Sequence, residues 1–237
     1  MPFSHGSKAK LYVGGRDLTG YLTSVALPAD RDMAETSVLG LDDKTFIPGL
    51  VGGTVPAEGL YDGSAAAVDE ILEAALADVA GRVVTYLPAG DAFAARGRFM
   101  TAHEASYEVT TPVDGVAAIS AEFTGTAGPD GGLVLHPLGA QTVTGNGTTQ
   151  DDGAASSNGG VGYLQVTAYS GLTDAVIAIQ HSVNGSAWAD LITFATVTGA
   201  NVSERKTVSG TVDRYLRYTR TLTGAGSITF HVGFARK

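Results

Sequence analysis

The chain has 237 residues and no cysteine. This excludes a disulfide framework, a thiolate nucleophile and a cysteine-based zinc or iron–sulfur site. It also has no run of about 18 apolar residues, the length that spans a bilayer. Its first residues, MPFSHGSKAK, lack the apolar core of a secretory signal. We therefore expect a soluble protein that is made in a cytoplasm and does not insert into a membrane.

Basic residues are few: the chain has 15 Lys and Arg and 24 Asp and Glu, which gives a net charge of −9. The deficit lies in residues 1–137, whose net charge is −10, whereas residues 138–237 carry +1. Phosphate neutralisation by Lys and Arg supplies most of the affinity of nucleic-acid-binding proteins. Residues 1–137 are therefore a poor candidate for binding nucleic acid. They would suit a surface that nucleic acid must pass without binding.

Apolar residues are scarce in residues 138–160, where the chain reads LGAQTVTGNGTTQDDGAASSNGG. Such a composition buries too little apolar surface to offset the entropy of ordering it, so we expect a flexible linker. The sequence thus predicts one domain over residues 1–137, a linker over 138–160 and a second domain over 161–237.

One segment has a helical pattern, Ser64 to Ala80. Gly63 with Ser64 gives a start signal and Gly81 a stop signal. The opposite side of the segment is acidic and has no basic partner, so packing on a sheet must stabilise it. The apolar positions form one stripe along the helix: Val68, Ile71, Leu72, Ala75, Leu76 and Val79.

The rest of the chain alternates apolar and polar residues between turn signals, which is typical of β-strands. A long hairpin with a polar end at Asp42 and Asp43 is expected between Ala29 and Gly63. We predict a mainly β protein. Its first domain is a β-sandwich or barrel with one packed helix over about residues 64–80. Its second domain is an all-β sandwich, immunoglobulin-like or galactose-binding-like.

Catalytic and metal-binding patterns are not found in the sequence. The five histidines are scattered, with no pair at the helical i, i+4 spacing of a zinc site. Ser7 and Lys10 match S-x-x-K without the partner motifs of an acyl-transfer enzyme. The glycine pairs do not form a phosphate-binding loop. We expect no catalytic residues, no metal, no cofactor and no enzyme activity.

Aromatic and basic side chains interleave near the C-terminus. Trp188, Tyr215, Arg217 and Tyr218 are residues that a sugar or nucleic-acid platform would use. In the alternative, the aromatic residues fill a small core while arginine faces water. The sequence leaves both readings open.

Two stretches resemble a known family. The run ETSVLGLDDKTFIPGLVGGTVPAEGLYDG, which leads into the helix, and a long strand pair that ends in EFTGTAG resemble the tail tube (major tail) proteins of long-tailed bacteriophages. This resemblance covers residues 5–137. The run QHSVNGSAWADLITF and the ending FHVGFAR resemble β-sandwich modules appended to some tail tube proteins.

The resemblance implies a structural virion protein of the phage tail, assembled in the host cytoplasm. Six copies would form a ring, rings would stack into a hollow tube, and the helix would lie outside the lumen. An acidic lumen would repel passing double-stranded DNA, so the DNA slides through without specific binding. The other implied partners are tape measure and terminator proteins and, for the second domain on the tube exterior, host surface glycans.

The hairpin would reach neighbouring subunits and the next ring. Its expected contact residues are Arg31, Asp32, Asp42, Asp43, Lys44, Phe46 and Pro48. Two alternatives remain: a carbohydrate-binding adhesin module, and a related terminator or baseplate ring protein. A non-contractile tail is preferred, because appended outer domains would obstruct a sheath.

Overall fold

Strands account for most of the chain, as the alternating pattern predicts. The computed structural model describes residues 5–39 and 42–237, and these residues are mainly antiparallel β-structure with one α-helix, α1 (Val68–Leu76), and a short 3-10 helix (Gly6–Lys8). The mainly β prediction is confirmed. The strands, in chain order, are β1 (Lys10–Val13), β2 (Arg16–Asp17), β3 (Leu22–Val25), β4 (Ala29–Glu35), β5 (Phe46–Leu60), β6 (Arg82–Leu87), β7 (Arg96–Thr110), β8 (Ala118–Gln141), β9 (Gly145–Asn146), β10 (Gln150–Asp151), β11 (Gly160–Ser182), β12 (Ala189–Thr193), β13 (Val202–Val208) and β14 (Tyr215–Arg236).

The sheet is arranged around the 24-residue strand β8. Hydrogen-bonded neighbours follow the order β12-β11-β14-β8-β7-β6-β1-β2. The first part of β8 pairs with both β5 and β7, and its last part pairs with the end of β14. Strand β5 also pairs with β3 and β4. One strand therefore runs through both halves of the molecule.

Helix α1 packs on the sheet, as its apolar stripe predicts. Val68, Ile71, Leu72 and Ala75 are buried. They belong to a core that includes Leu11, Val55, Val84, Met100, Ala102 and Phe123 from the strands.

The helix is shorter than the predicted span of residues 64–80. Before it, the Asp62 carboxylate accepts a hydrogen bond from the Ser64 N–H, and Ala66 has a positive φ of 60°. After it, the Asp78 carboxylate accepts from the Ala80 N–H. These local bonds replace helical ones at both ends. As a result Val79, predicted to lie in the stripe, is 93% exposed.

A further core joins the two halves of the chain. Residues from 1–137 pack there with three residues of the later part, Val161, Tyr163 and Ala235; the former are Tyr12, Val83, Leu87, Phe99 and Val134. The predicted domains thus share buried apolar surface, although the division into two domains itself stays a prediction.

The buried amide of Gln165 crosses this junction. Its side-chain Oε1 accepts a hydrogen bond of 2.7 Å from the Gly15 N–H. Its Nε2 donates to the Val83 carbonyl at 2.9 Å and to the Thr85 hydroxyl at 3.2 Å. Gln165 is fully buried, so water cannot replace these partners. One side chain of β11 therefore bonds both β6 and the turn between β1 and β2.

Residues 138–160, predicted to be a flexible linker, lie against β14 instead. The short strands β9 and β10 both pair with β14. The Arg236 guanidinium bonds the Asp152 carboxylate at 2.6 Å, and Arg214 bonds both oxygens of Asp151. Backbone pairing and ion pairs hold this segment where apolar burial could not, and composition does not reveal them.

Replacing Gln165 with leucine should destabilise the protein. Gln165→Leu leaves the buried Gly15 N–H without its partner, at a cost of about 1–3 kcal/mol, and removes the hydrogen bonds to Thr85 and to the Val83 carbonyl, which keeps the Gly14 N–H. We expect a loss of about 2–4 kcal/mol in the free energy of unfolding, measured by urea denaturation. Gln141→Leu, at a half-exposed position of β8, is the matched control and should change stability little. An equal effect of both changes would contradict the role given to Gln165.

Glu104 is a buried carboxyl on β7. It is 6% exposed, and neither of its oxygens has a hydrogen-bond partner among the described residues. Burial disfavours the charged form and raises the pKa of Glu104 to about 8, an effect partly offset by the nearby Arg82 cation. The folded protein therefore holds a proton that the unfolded chain releases at lower pH.

Glu104 should make the protein less stable as pH rises. Its folded pKa of about 8 exceeds the ordinary value of 4.5, so its contribution is lost as pH rises through this interval. Glu104→Gln cannot ionise, and its stability relative to the wild type should grow between about pH 5 and about pH 9 in urea denaturation. Glu108→Gln, at an exposed position of the same strand, should give no such trend. A pH-independent difference for Glu104→Gln would contradict this account.

Candidate functional site

A two-stranded arm extends from the sheet. Strand β4 pairs with residues 46–53 of β5, from Ala29 opposite Gly53 to Glu35 opposite Phe46. Every residue of β4 is exposed, and so are residues 46–52. Large apolar side chains are among them, with Leu50 82%, Ile47 59% and Met33 54% exposed. We call β4 with residues 46–53 the arm.

The two faces of the arm differ. Paired residues share a face, and successive residues of a strand point to opposite faces. Asp30 and Asp32 therefore lie on one face. The other face is mostly apolar and carries one cation that has no acidic neighbour across the pair; it consists of Arg31, Met33, Phe46, Pro48 and Val51, with Glu35 at the end.

Four of the seven predicted contact residues lie in the arm. Arg31, Phe46 and Pro48 share its apolar face, and Asp32 lies opposite. The other three lie between the two strands in the sequence. Asp42 and Asp43 are exposed next to Gly40 and Leu41, which lie outside the described residues. The Lys44 ammonium pairs with the Glu35 carboxylate at 3.3 Å. Sequence reasoning missed Met33, Ile47, Leu50 and Val51. The last three belong to an apolar run, FIPGLV, which is also the pattern of a buried strand.

A second apolar surface lies at the other end of β5. Leu60 pairs with Ala118, which in turn pairs with Thr110, so Leu60 lies beside the turn between β7 and β8. We call this surface the tip patch. Its side chains and their exposed fractions are Leu60 48%, Val113 105% and Val116 69%. Val109 is 40% exposed but pairs with Ile119, so it points to the opposite face of the sheet.

An acidic face lies between the arm and the tip patch. Glu58 and Glu108 both pair with Ser120, so their side chains lie in one row across β5, β8 and β7, and Glu122 lies in the adjacent row. All three carboxylates are exposed. Residues 54–60, 103–110 and 118–124 contain no Lys or Arg. The alternate residues of β5 and β8 face the helix, so the acidic face is the opposite side of this part of the sheet.

The predicted glycan platform is divided between two faces of β14. The Arg217 guanidinium lies 4.2 Å from the centroid of the half-exposed Trp188 ring, and Tyr215 shares the face of Arg217. Tyr218 is 5% exposed and packs against His136 and Phe230 in the core, so for this residue the core reading holds. Neighbouring residues of a strand point to opposite faces, so Arg217 and Tyr218 cannot contact one ligand.

Among residues 5–39 and 42–237, no group of three or more His, Asp or Glu side chains is placed to hold a metal ion. In the same part of the chain, no helix is long and apolar enough to cross a membrane.

The chain is similar to several solved structures, each at low sequence identity. No family model and no curated protein matches the chain. The Dit protein of phage SPP1, described as a paradigm of the hub adsorption apparatus in phages that infect Gram-positive bacteria, is 15% identical with a TM-score of 0.41, covering 94% of this chain and 98% of that one.

Two further structures are similar at the same level. A chain of the virion of a native gene transfer agent particle is 10% identical with a TM-score of 0.44, covering 53% of this chain and 96% of that one. A chain of the phage p2 baseplate in its activated conformation is 8% identical with a TM-score of 0.33, covering 97% and 98%. At TM-scores this low, these likenesses by themselves establish neither a shared fold nor a shared function.

Proposed function

We propose that this chain is a structural virion protein whose copies form rings that stack into the tail tube of a long-tailed bacteriophage. The observation that carries the proposal is the arm. An isolated two-stranded hairpin is marginally stable in water, and exposed apolar surface of this kind marks an interaction site. Because the arm's side chains are exposed in a single copy, another protein surface must cover them. Because residues 5–137 resemble tail tube proteins, we infer that further copies of this chain supply the covering surface.

The acidic face would line the channel. Glu58, Glu108 and Glu122 would present negative charge to passing DNA, and like charge keeps the phosphate backbone from binding. The C-terminal half packs against β1 and β6 and leaves these carboxylates exposed. This arrangement suits a C-terminal region on the tube exterior and a sheet face towards the lumen.

A terminator or baseplate ring protein is the second candidate. Such a protein could use the same lateral contacts, but it would end a stack instead of repeating within it. Apolar surfaces at both ends of β5 favour a repeating subunit. Glycan binding receives less support, since Tyr218 is buried and Arg217 covers one face of Trp188.

The purified wild-type protein should assemble as its concentration rises. We expect rings with a central hole, and tubes, by negative-stain electron microscopy, with matching large species in sedimentation velocity. Phe46→Asp with Leu50→Asp should shift the protein to smaller species while the free energy of unfolding changes by less than about 0.5 kcal/mol, because both side chains are exposed. Val183→Asp, an equivalent change at a 75% exposed position, is the control. A wild-type protein that stays monomeric at high concentration would contradict the proposal.

Neutralising the acidic face should slow DNA passage. Virions that carry Glu58→Gln with Glu108→Gln should eject DNA more slowly than wild-type virions at low salt. The difference should shrink with added salt, since the screening length is about 10 Å at 0.1 M. Glu73→Gln with Asp174→Asn makes the same change in charge on other surfaces and should have no effect. Unchanged ejection by the first variant at low salt would remove these carboxylates from the lumen.

A further inference from the structure

A small cavity opens between β8, β14 and the segment 138–160. Its volume is about 170 Å³. Leu135, Leu216 and Phe234 line it and are buried in the adjoining core, so they form an apolar floor. Gln150 of β10 lines one side. Because a cavity of about 150 Å³ can hold a benzene ring, this one has room for a single aromatic ring.

Strand register explains why the cavity is open to one side. Leu133 pairs with Arg96 of β7 and with Phe234 of β14, so the three side chains share a face of the sheet. Gly131 lies two positions before Leu133 and therefore belongs to the same face, but it has no side chain. An added β-carbon at Gly131 would meet only the Arg98 side chain within 4 Å. The missing side chain at Gly131 leaves the opening beside Arg96.

Positive charge borders this opening. Arg96 lines the cavity and is exposed, and the Arg98 Nη1 atom lies 3.3 Å from the position of a β-carbon at Gly131. Among the described residues, neither guanidinium forms an ion pair. The other charged residues of the lining, Arg236 and Asp152, pair with each other at 2.6 Å. The charge left unbalanced at the opening is therefore positive and favours an anion.

We propose that this cavity is a binding site for a small aromatic carboxylate. The ring packs on the apolar floor, and the carboxylate accepts hydrogen bonds from the Arg96 guanidinium, whose planar shape matches a carboxylate. Arg98 adds positive charge at the same opening. A neutral ring leaves Arg96 without an acidic partner, and an anion without a ring leaves the floor uncovered, so the site selects the combination. All of these residues belong to one copy, so binding does not depend on assembly.

Benzoate is the probe that tests this site. Titration into the full-length protein, followed by ligand-observed NMR, should show saturable binding. Benzyl alcohol keeps the ring without the charge, and acetate keeps the carboxylate without the ring. Each should bind at least about fivefold more weakly than benzoate. Benzoate that fails to saturate, or that binds no more tightly than acetate, would indicate an adventitious anion only and would overturn the proposal.

Three variants locate the binding. Arg96→Gln should weaken benzoate binding at least about fivefold and leave benzyl alcohol binding unchanged. Gly131→Leu places a side chain in the opening and should weaken the binding of both probes. Arg31→Gln removes another exposed arginine charge, on the arm, and as the matched control should bind benzoate as the wild type does. Unchanged melting temperatures show that each variant folds. Equal effects of Arg96→Gln and Arg31→Gln on benzoate would place the binding outside this cavity.

Discussion

The pairing of strand β8 with β5, β7 and β14 positions the arm, the acidic face and the tip patch. Its first part lies between β5 and β7, and its last part lies beside β14. The first pairing aligns Glu58, Ser120 and Glu108 in one row and brings Leu60 to the β7–β8 turn. The second brings the C-terminal strands onto β1 and β6, where Gln165 bonds β6 and the turn that follows β1. Because β8 is paired with other strands along its first and last parts, the sheet is held extended, and the arm and the tip patch lie at its opposite ends.

Local sequence patterns predicted which helices and strands form better than they predicted where each begins and ends. The stripe of Val68, Ile71, Leu72 and Ala75 identified a helix that packs on a sheet, because helical periodicity depends on neighbours three and four residues apart. The ends were wrong, since the carboxylates of Asp62 and Asp78 bond nearby backbone N–H groups and end the helix early. The hairpin at Ala29 was predicted because turn residues separate two β-prone runs.

Contacts between distant residues could not be read from the sequence. Gln165 meets Gly15 across 150 positions, and a glutamine in an apolar strand gives no sign of its partners. The row of Glu58 and Glu108 depends on strand register, which a shift of one residue would destroy. The sequence left open whether Tyr218 is exposed or buried, because register also decides which face of β14 is buried. The tip patch was overlooked because Val113 and Val116 lie in a turn, where exposure follows from the absence of a covering layer.

The absence of cysteine makes the covering of the arm directly measurable. Leu50→Cys places a single thiol on the arm, at a position that is 82% exposed in one copy. If another copy covers the arm, this thiol should react with a thiol reagent much more slowly in assembled protein than in the monomer, whereas Val183→Cys, at a 75% exposed position outside the arm, should react at similar rates in both. Equal rates for Leu50→Cys in the assembled protein and in the monomer would contradict the account.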